Sequence, residues 1–127
     1  MTFIKSFTSK NLFSSLTNKD DFLLLDVRNK KDFSRFQIEG PFEVDMVNIP
    51  YFDFLEKEDK YLSKVSRQKP VKIVCAKEGS AQYVAELLTG DGFDDVSILR
   101  GGINTWGNML VPTRINEKSD KYELYQF

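Results

Sequence analysis

Cys75 is the single cysteine of this 127-residue chain, and the chain contains no histidine. Those two facts bound the available chemistry. Without histidine, Ser-His-Asp catalysis, Cys-His catalysis and any histidine-ligated metal site are excluded within the chain. With one cysteine, an internal disulfide and a dithiol redox pair are excluded as well. Thiol chemistry must be carried by Cys75 alone, or by Cys75 with an external thiol.

The segment Val71-Lys72-Ile73-Val74-Cys75-Ala76-Lys77-Glu78-Gly79-Ser80-Ala81 reads as an apolar strand ending at Cys75, a short turn, and a helix opening near Ser80. Ligands of open parallel sheets bind at the carboxyl ends of the strands. In such a turn the backbone N–H groups of Ala76, Lys77, Glu78, Gly79 and Ser80 can curl around the sulfur, and the helix N-terminus adds partial positive charge. Settings of this kind lower a thiol pKa to about 3.5–7.5, from about 8.5 when free. Lys77 acts in the same direction and Glu78 against it. Gly79 lets the backbone turn inward, and Ser80 serves as the helix cap. The arrangement suits a persulfide. A thiolate takes the outer sulfur of a small donor, amide donors stabilise the Cys–S–S⁻ anion, and a thiol acceptor or cyanide removes the sulfur. No metal and no cofactor is required. From this window alone, Cys75 fits equally well an inert small hydrophobic residue packed after a buried strand.

The elements that must position Cys75 alternate along the chain. Phe3 to Phe7 reads as an edge strand. A helix capped by Thr8 or Ser9 runs to about Asn18, with Leu12, Phe13 and Leu16 on one face. Phe22 to Val27 is a continuous apolar run of the kind buried on both faces of a parallel sheet. Lys30 to Phe36 reads as a short helix, Val44 to Ile49 as a strand, and Phe52 to Val65 as one helix with Leu55, Leu62 and Val65 apolar. After the strand Val71 to Val74, the helix from Ser80 to Leu88 places Ala81, Val84, Ala85 and Leu88 at helical spacing. Gly90 and Gly92 end it. Val96 to Leu99 is a last strand, and a short helix carries Ile103, Trp106 and Leu110. This alternation implies an α/β fold: a central parallel sheet of about five strands with helices on both faces. Residues from Pro112 onward fall outside the pattern.

Composition narrows the partners. The hydrophobic fraction of 41% is that of a globular domain, and the formal net charge is −1. Neither nucleic acid nor an anionic membrane is expected as the main partner. No apolar run reaches the roughly 18–20 residues of a membrane span. The first residues show no basic segment followed by a long apolar stretch, so a cytoplasmic location is expected.

Four segments in order resemble the rhodanese superfamily. Leu24-Leu25-Asp26-Val27-Arg28 resembles its Leu-Leu-Asp-Val-Arg strand. Asp32-Phe33, Phe36-Gln37-Ile38-Glu39-Gly40 and Asn48-Ile49-Pro50 resemble its Glu-Phe, Gly-His-Ile-x-Gly and Asn-Ile-Pro elements. Leu99-Arg100-Gly101-Gly102-Ile103-Asn104-Thr105-Trp106 resembles its Leu-x-Gly-Gly-x-x-x-Trp ending, and Cys75 falls where the family places its nucleophile. The resemblance implies a rhodanese-like domain over residues 1–111, followed at 112–127 by a linker or the start of another domain. It implies a sulfurtransferase acting on thiosulfate or a low-molecular-weight persulfide through Cys75, with Ala76 to Ser80 binding the substrate. The rival reading is a catalytically weak rhodanese-fold module that senses or receives sulfur for a fused domain. Family members are often joined to metallo-β-lactamase-like hydrolases, which makes such a domain a candidate partner in the same chain. Asp26 and Arg28 are expected to tie the strand end to its neighbours and Trp106 to sit in the core. Arg100 is either a structural partner or a cation near the site.

The departures from the family pattern are specific. The family's loop reads Cys-x-x-Gly-x-Arg, whereas here the glycine is one position later and Ser80 stands at the arginine position. Gln37 replaces the histidine of Gly-His-Ile. The loop also lacks the Cys-x5-Arg form of the related phosphatases. With no arginine to clamp phosphoryl oxygens, phosphate-ester hydrolysis is not expected.

Overall fold

A computed structural model describes residues 3–106, together with a short antiparallel pairing of Val111–Pro112 with Leu124–Tyr125. The elements in order are β1 (Lys5–Phe7), α1 (Ser9–Thr17), β2 (Leu23–Asp26), α2 (Lys30–Arg35), β3 (Asp45–Asn48), α3 (Tyr51–Glu56), α4 (Glu58–Leu62), β4 (Val71–Val74), α5 (Gly79–Gly90), β5 (Val96–Leu99) and α6 (Ile103–Trp106). The strands form one five-stranded sheet in the order β1-β5-β4-β2-β3, and every pairing is parallel. The expected α/β fold is therefore the observed one, with the strand leading to Cys75 at the centre. The side chain of Trp106, Leu110 and the tail apart from that short pairing lie outside the described residues.

Strand pleating divides the core in two. On β2, Leu23 and Leu25 face one side with Ile73, Val96 and Ile98, and are covered by Phe54, Leu62, Ala81, Val84, Ala85 and Leu88. Leu24 faces the other side with Val74 and Leu99, and is covered by Leu12, Leu16, Ile38 and Ile103. All four residues of β2 are buried, which is why its sequence shows no polar alternation. The first helix is fixed by a capping box: the Thr8 side chain accepts from the Asn11 amide while Asn11 accepts from the Thr8 amide, both at 3.0 Å.

Two helices differ from the sequence expectation. The single helix over Phe52 to Val65 is split at Lys57, whose φ −140° and ψ 63° are not helical. The break resets the phase, so Phe54 is buried at 1% exposure and Leu55, placed on the apolar stripe by periodicity, is 44% exposed. The helix after Cys75 begins at Gly79, with Glu78 at the N-cap and no side-chain cap bond. Ser80 is thus inside the first turn and does not cap it. No helix among the described residues is long and apolar enough to cross a membrane.

Because the sheet is parallel, the ends of β2, β3 and β4 share one edge: Asp26 is in register with both Asn48 and Val74. The end of β2 is held by a buried ion pair. Arg28 Nε donates to both Asp26 carboxylate oxygens at 3.0 and 3.1 Å, and a terminal guanidinium nitrogen donates at 2.7 Å. The rest of the guanidinium donates to the carbonyls of Asp32 and Phe36, joining the strand to α2. Asn48 donates at 2.9 Å to the carbonyls of Asp26 and Arg28, which joins it to β3. The side chains are 5% and 1% exposed for Arg28 and Asp26. Removing one partner of such a pair leaves the other charged and buried. We therefore expect Asp26→Ala to lower the unfolding free energy by about 3–5 kcal/mol, measured by urea denaturation; a loss under about 1 kcal/mol would place the pair with exposed salt bridges.

Candidate active site

Cys75 is the first residue after β4 and is 4% exposed. Its carbonyl accepts a 2.7 Å hydrogen bond from the Ile103 amide, and its thiol donates to the Lys77 carbonyl. Residues 76–79 are exposed and Ser80 is half-buried, so the sulfur lies beneath a thin loop. It sits at the base of a cleft of about 440 Å³ built from the loops after β2, β3 and β4. Val27, Arg28, Asn29 and Asp32 form one wall; Pro50, Tyr51 and Phe52 form another; Ala76, Lys77, Gly79 and Ser80 complete it. Glu78, although in the loop, does not line the cleft.

The electrostatics correct the expectation of a lowered thiol pKa. Burial pushes the Cys75 thiol above the ordinary range, and the Asp26 carboxylate adds to that push. The backbone N–H groups of Ala81, Lys77 and Ser80 act in the opposite direction and are outweighed. Ala81 lies one residue beyond the run of amides expected from the sequence. A helix starting at Gly79 turns its first free N–H groups back toward the sulfur.

The second correction concerns glycine. Gly79 does not adopt a left-handed conformation, and a Cβ there would meet open space. The position that requires glycine is Gly102, with φ +77°. A Cβ on it would fall 2.4 Å from the Ala76 carbonyl oxygen and 2.5 Å from Lys77 Cα. The loop after β5 thus packs its bare backbone against the Cys75 loop, and Ile103 bonds to it from the next position. The Gly101-Gly102 doublet after a strand was the available signal for this contact.

The remaining residues separate. Arg28 lines the cleft, but its guanidinium is committed to Asp26 and to two carbonyls. Arg100 does not reach the cleft. It is exposed, donates to Ser6 Oγ at 3.0 Å, and lines a different concavity with Thr8, Lys10 and Phe13. Its role here is that of a structural partner. Among the described residues lining the cleft, Lys77 is the cation left uncommitted. Tyr51 and Phe52 were not picked out from the sequence. Pro50, which ends the preceding strand, marks the loop that brings them to the carboxyl edge. Asn29 and Asp32 arrive with the cap of α2, where the Asn29 side chain accepts from the Asp32 amide at 2.8 Å. No group of three or more cysteine, aspartate or glutamate side chains among the described residues is placed to hold a metal ion.

Among the described residues, the arrangement places one buried thiol, a helix N-terminus, backbone amides and one uncommitted cation in an open cleft. Comparison with known proteins agrees with this architecture. The profile of the rhodanese-like domain matches residues 9–109. A thiosulfate sulfurtransferase GlpE from Shewanella oneidensis is 28% identical over 98 residues, covering 77% of this chain and 88% of that protein. A protein of the same name from Coxiella burnetii is 30% identical over 91 residues, covering 72% and 77%. The solution structure of a rhodanese-like domain from Anabaena superimposes with a TM-score of 0.70 at 22% identity, covering 94% of this chain and 85% of that one. With the family profile extending from α1 through α6 and the fold shared, the chain belongs to the rhodanese-like domain family.

Proposed function

We propose that the chain is a sulfurtransferase in which Cys75 carries sulfur as a persulfide. The observation that carries this reading is the placement of Cys75 in the lining of a cleft, at the carboxyl end of the central strand and just before the N-terminus of α5. The names of the Shewanella and Coxiella relatives support it.

The steps need only groups this chain holds. The Cys75 thiolate attacks the outer sulfur of thiosulfate, an Sγ–S bond forms, and sulfite leaves with the electron pair of the broken S–S bond. From an organic persulfide R–S–SH the products are Cys75–S–SH and the thiolate R–S⁻. An acceptor then attacks the outer sulfur: cyanide leaves as thiocyanate, a thiol R–SH leaves as R–S–SH, and Cys75 is restored as thiolate. Attaching the second sulfur moves the negative charge about 2.0 Å outward, the length of an S–S bond. It leaves the buried Sγ and enters the cleft, where solvent and amide N–H groups hold it at lower cost. The fold therefore opposes charge on the resting thiol and accepts it on the loaded one.

Incubation with thiosulfate should add one sulfur atom to the protein, seen by intact mass and removed by cyanide. Cys75→Ser should show neither the gain nor any turnover. Sulfur transfer persisting in that variant would overturn the reading.

The pH dependence has a definite sign. Burial raises the folded-state pKa of Cys75, so thiolate accumulates only as pH rises through that value. Alkylation by iodoacetamide should follow a midpoint above about 8.5, the value for a free thiol. By the same linkage, the stability the neutral thiol contributes is present below the unfolded pKa and lost as pH rises through the folded one. A labelling midpoint near neutrality would mean that the amides outweigh burial.

Lys77 is the remaining handle for an anionic donor. A lysine is a hydrated point charge on a flexible stem and holds a sulfonate less firmly than a bidentate arginine. Lys77→Ala should raise the KM for thiosulfate by about two- to tenfold, the worth of one ordinary or modestly charge-assisted hydrogen bond. Unchanged thiosulfate kinetics would assign binding to the backbone alone.

A further inference from the structure

The wall that holds Arg28 offers little charge to an incoming molecule, because Arg28 is paired with Asp26. Among the described residues that line the cleft, Lys77 is the uncommitted cation. The opposite wall begins α3, and Phe52 there is 66% exposed although it lines the cleft. Its ring is not a loose surface side chain. Tyr51 packs against it edge-on at 5.3 Å, and Tyr51 is in turn packed edge-on at 5.4 Å by Tyr83 of α5, the helix that follows the Cys75 loop. The Tyr51 amide donates to the Val27 carbonyl at 2.9 Å, which fixes the start of α3 to the end of β2. An aromatic side chain thus lines the same cleft as Cys75, supported by the elements that build that cleft. A large apolar side chain kept exposed at a site, on a preset support, is an unfilled half of a contact.

We propose that Phe52 is a specificity-determining residue of this cleft: it seats the carbon body of an organic thiol or organic persulfide while Cys75 exchanges sulfur with that molecule's terminal sulfur. The inference rests on the Cys75 reading above and adds how the organic substrate is recognised, by apolar contact with its carbon body. The exchange is the one already balanced: the bond from the R–S sulfur to the outer sulfur breaks as the bond to Cys75 forms, and the electron pair leaves on the organic thiolate.

The test compares the wild type with Phe52→Ala and Phe52→Leu in two assays. In the first, thiosulfate is the donor and the acceptor is cyanide, 2-mercaptoethanol or benzyl mercaptan. Intrinsic thiol reactivity cancels in the ratio of wild type to variant for each acceptor. Phe52→Ala should lower kcat/KM for benzyl mercaptan by about fivefold, the worth of one good aromatic contact, with Phe52→Leu between. The cyanide reaction should stay within about twofold, since cyanide has no body to seat. The second assay alkylates Cys75 with iodoacetamide and with N-benzyl iodoacetamide and needs no turnover. The rate ratio of benzyl to plain reagent should fall by a similar factor, about fivefold, in Phe52→Ala. Equal losses for cyanide and benzyl mercaptan, or an unchanged alkylation ratio, would overturn the assignment of Phe52. A wild type that moves no sulfur to any acceptor from either thiosulfate or an organic persulfide, yet keeps the Phe52-dependent alkylation ratio, would overturn the sulfurtransferase reading and leave the apolar seat standing.

Discussion

The structure around Cys75 is organised by the cost of placing negative charge on a buried sulfur. At 4% exposure, the thiolate loses most of its hydration, and desolvation disfavours the charged form. Water cannot supply the compensation at that depth, so backbone N–H groups must. The first turn of α5 provides them through Ser80 and Ala81, which have no partner within the helix. That supply does not overcome burial for the resting thiol. The position of β4 at the centre of the sheet, the short loop and the early start of α5 are all parts of one arrangement: the sulfur is anchored in the core and its reactive end faces the donors.

A loop this thin does not hold its own shape. Residues 76–79 are exposed and no side chain caps α5, so the support comes from outside the loop. Gly102 presses bare backbone against Ala76 and Lys77, and Ile103 donates to the Cys75 carbonyl from the same turn. The left-handed φ at Gly101 and Gly102, which glycine adopts without steric cost, lets the chain leave β5 and turn back against the loop. On the other side, the Asp26–Arg28 pair fixes the end of β2 and carries α2 with it. The pair stands between stability and electrostatics. It holds the cleft wall, and its carboxylate adds to the upward push on the Cys75 pKa.

The fold was legible because buried parallel strands leave an unambiguous mark. Leu23, Leu24 and Leu25 in a row, Val71 to Val74, and Val96 to Leu99 are too apolar for any half-exposed strand, and each is followed by helical spacing or a turn. The position of Cys75 followed from strand direction alone. What was not legible depended on contacts distant in sequence. Whether the amides or burial controls the thiol depends on how deeply Cys75 is covered, and that is decided by α5 and the β5 loop together. The phase break at Lys57 is invisible to a periodicity that runs smoothly from Leu55 to Val65. Only its consequence, a buried Phe54 and an exposed Leu55, reveals it. Arg100, next to the glycine doublet, looked available to the site. The direction of the strand carries its side chain to Ser6 on the neighbouring strand instead. Tyr51 and Phe52 gave no signal of their own, since an aromatic pair after a proline reads as ordinary core.

The serine at residue 80 gives the site its character. That position lies in the first turn of α5, half-buried and lining the cleft, where a guanidinium would point fixed donors at the far end of any bound anion. A short hydroxyl there leaves that end to water and to Lys77. Arg28 cannot substitute, because its guanidinium is spent on Asp26 and on carbonyls that hold α2 in place. Moving it into the cleft would strand a buried carboxylate. With Lys77 the one uncommitted cation among the described lining residues, the exposed ring on α3 offers the cleft a second, apolar means of selection. An apolar surface discriminates by the size of the body it covers and not by formal charge. On this account the serine at residue 80 and the exposure of Phe52 bear on one property: where charge is met only by Lys77 and backbone amides, the proposed seat on Phe52 adds a hold on a sulfur compound's carbon.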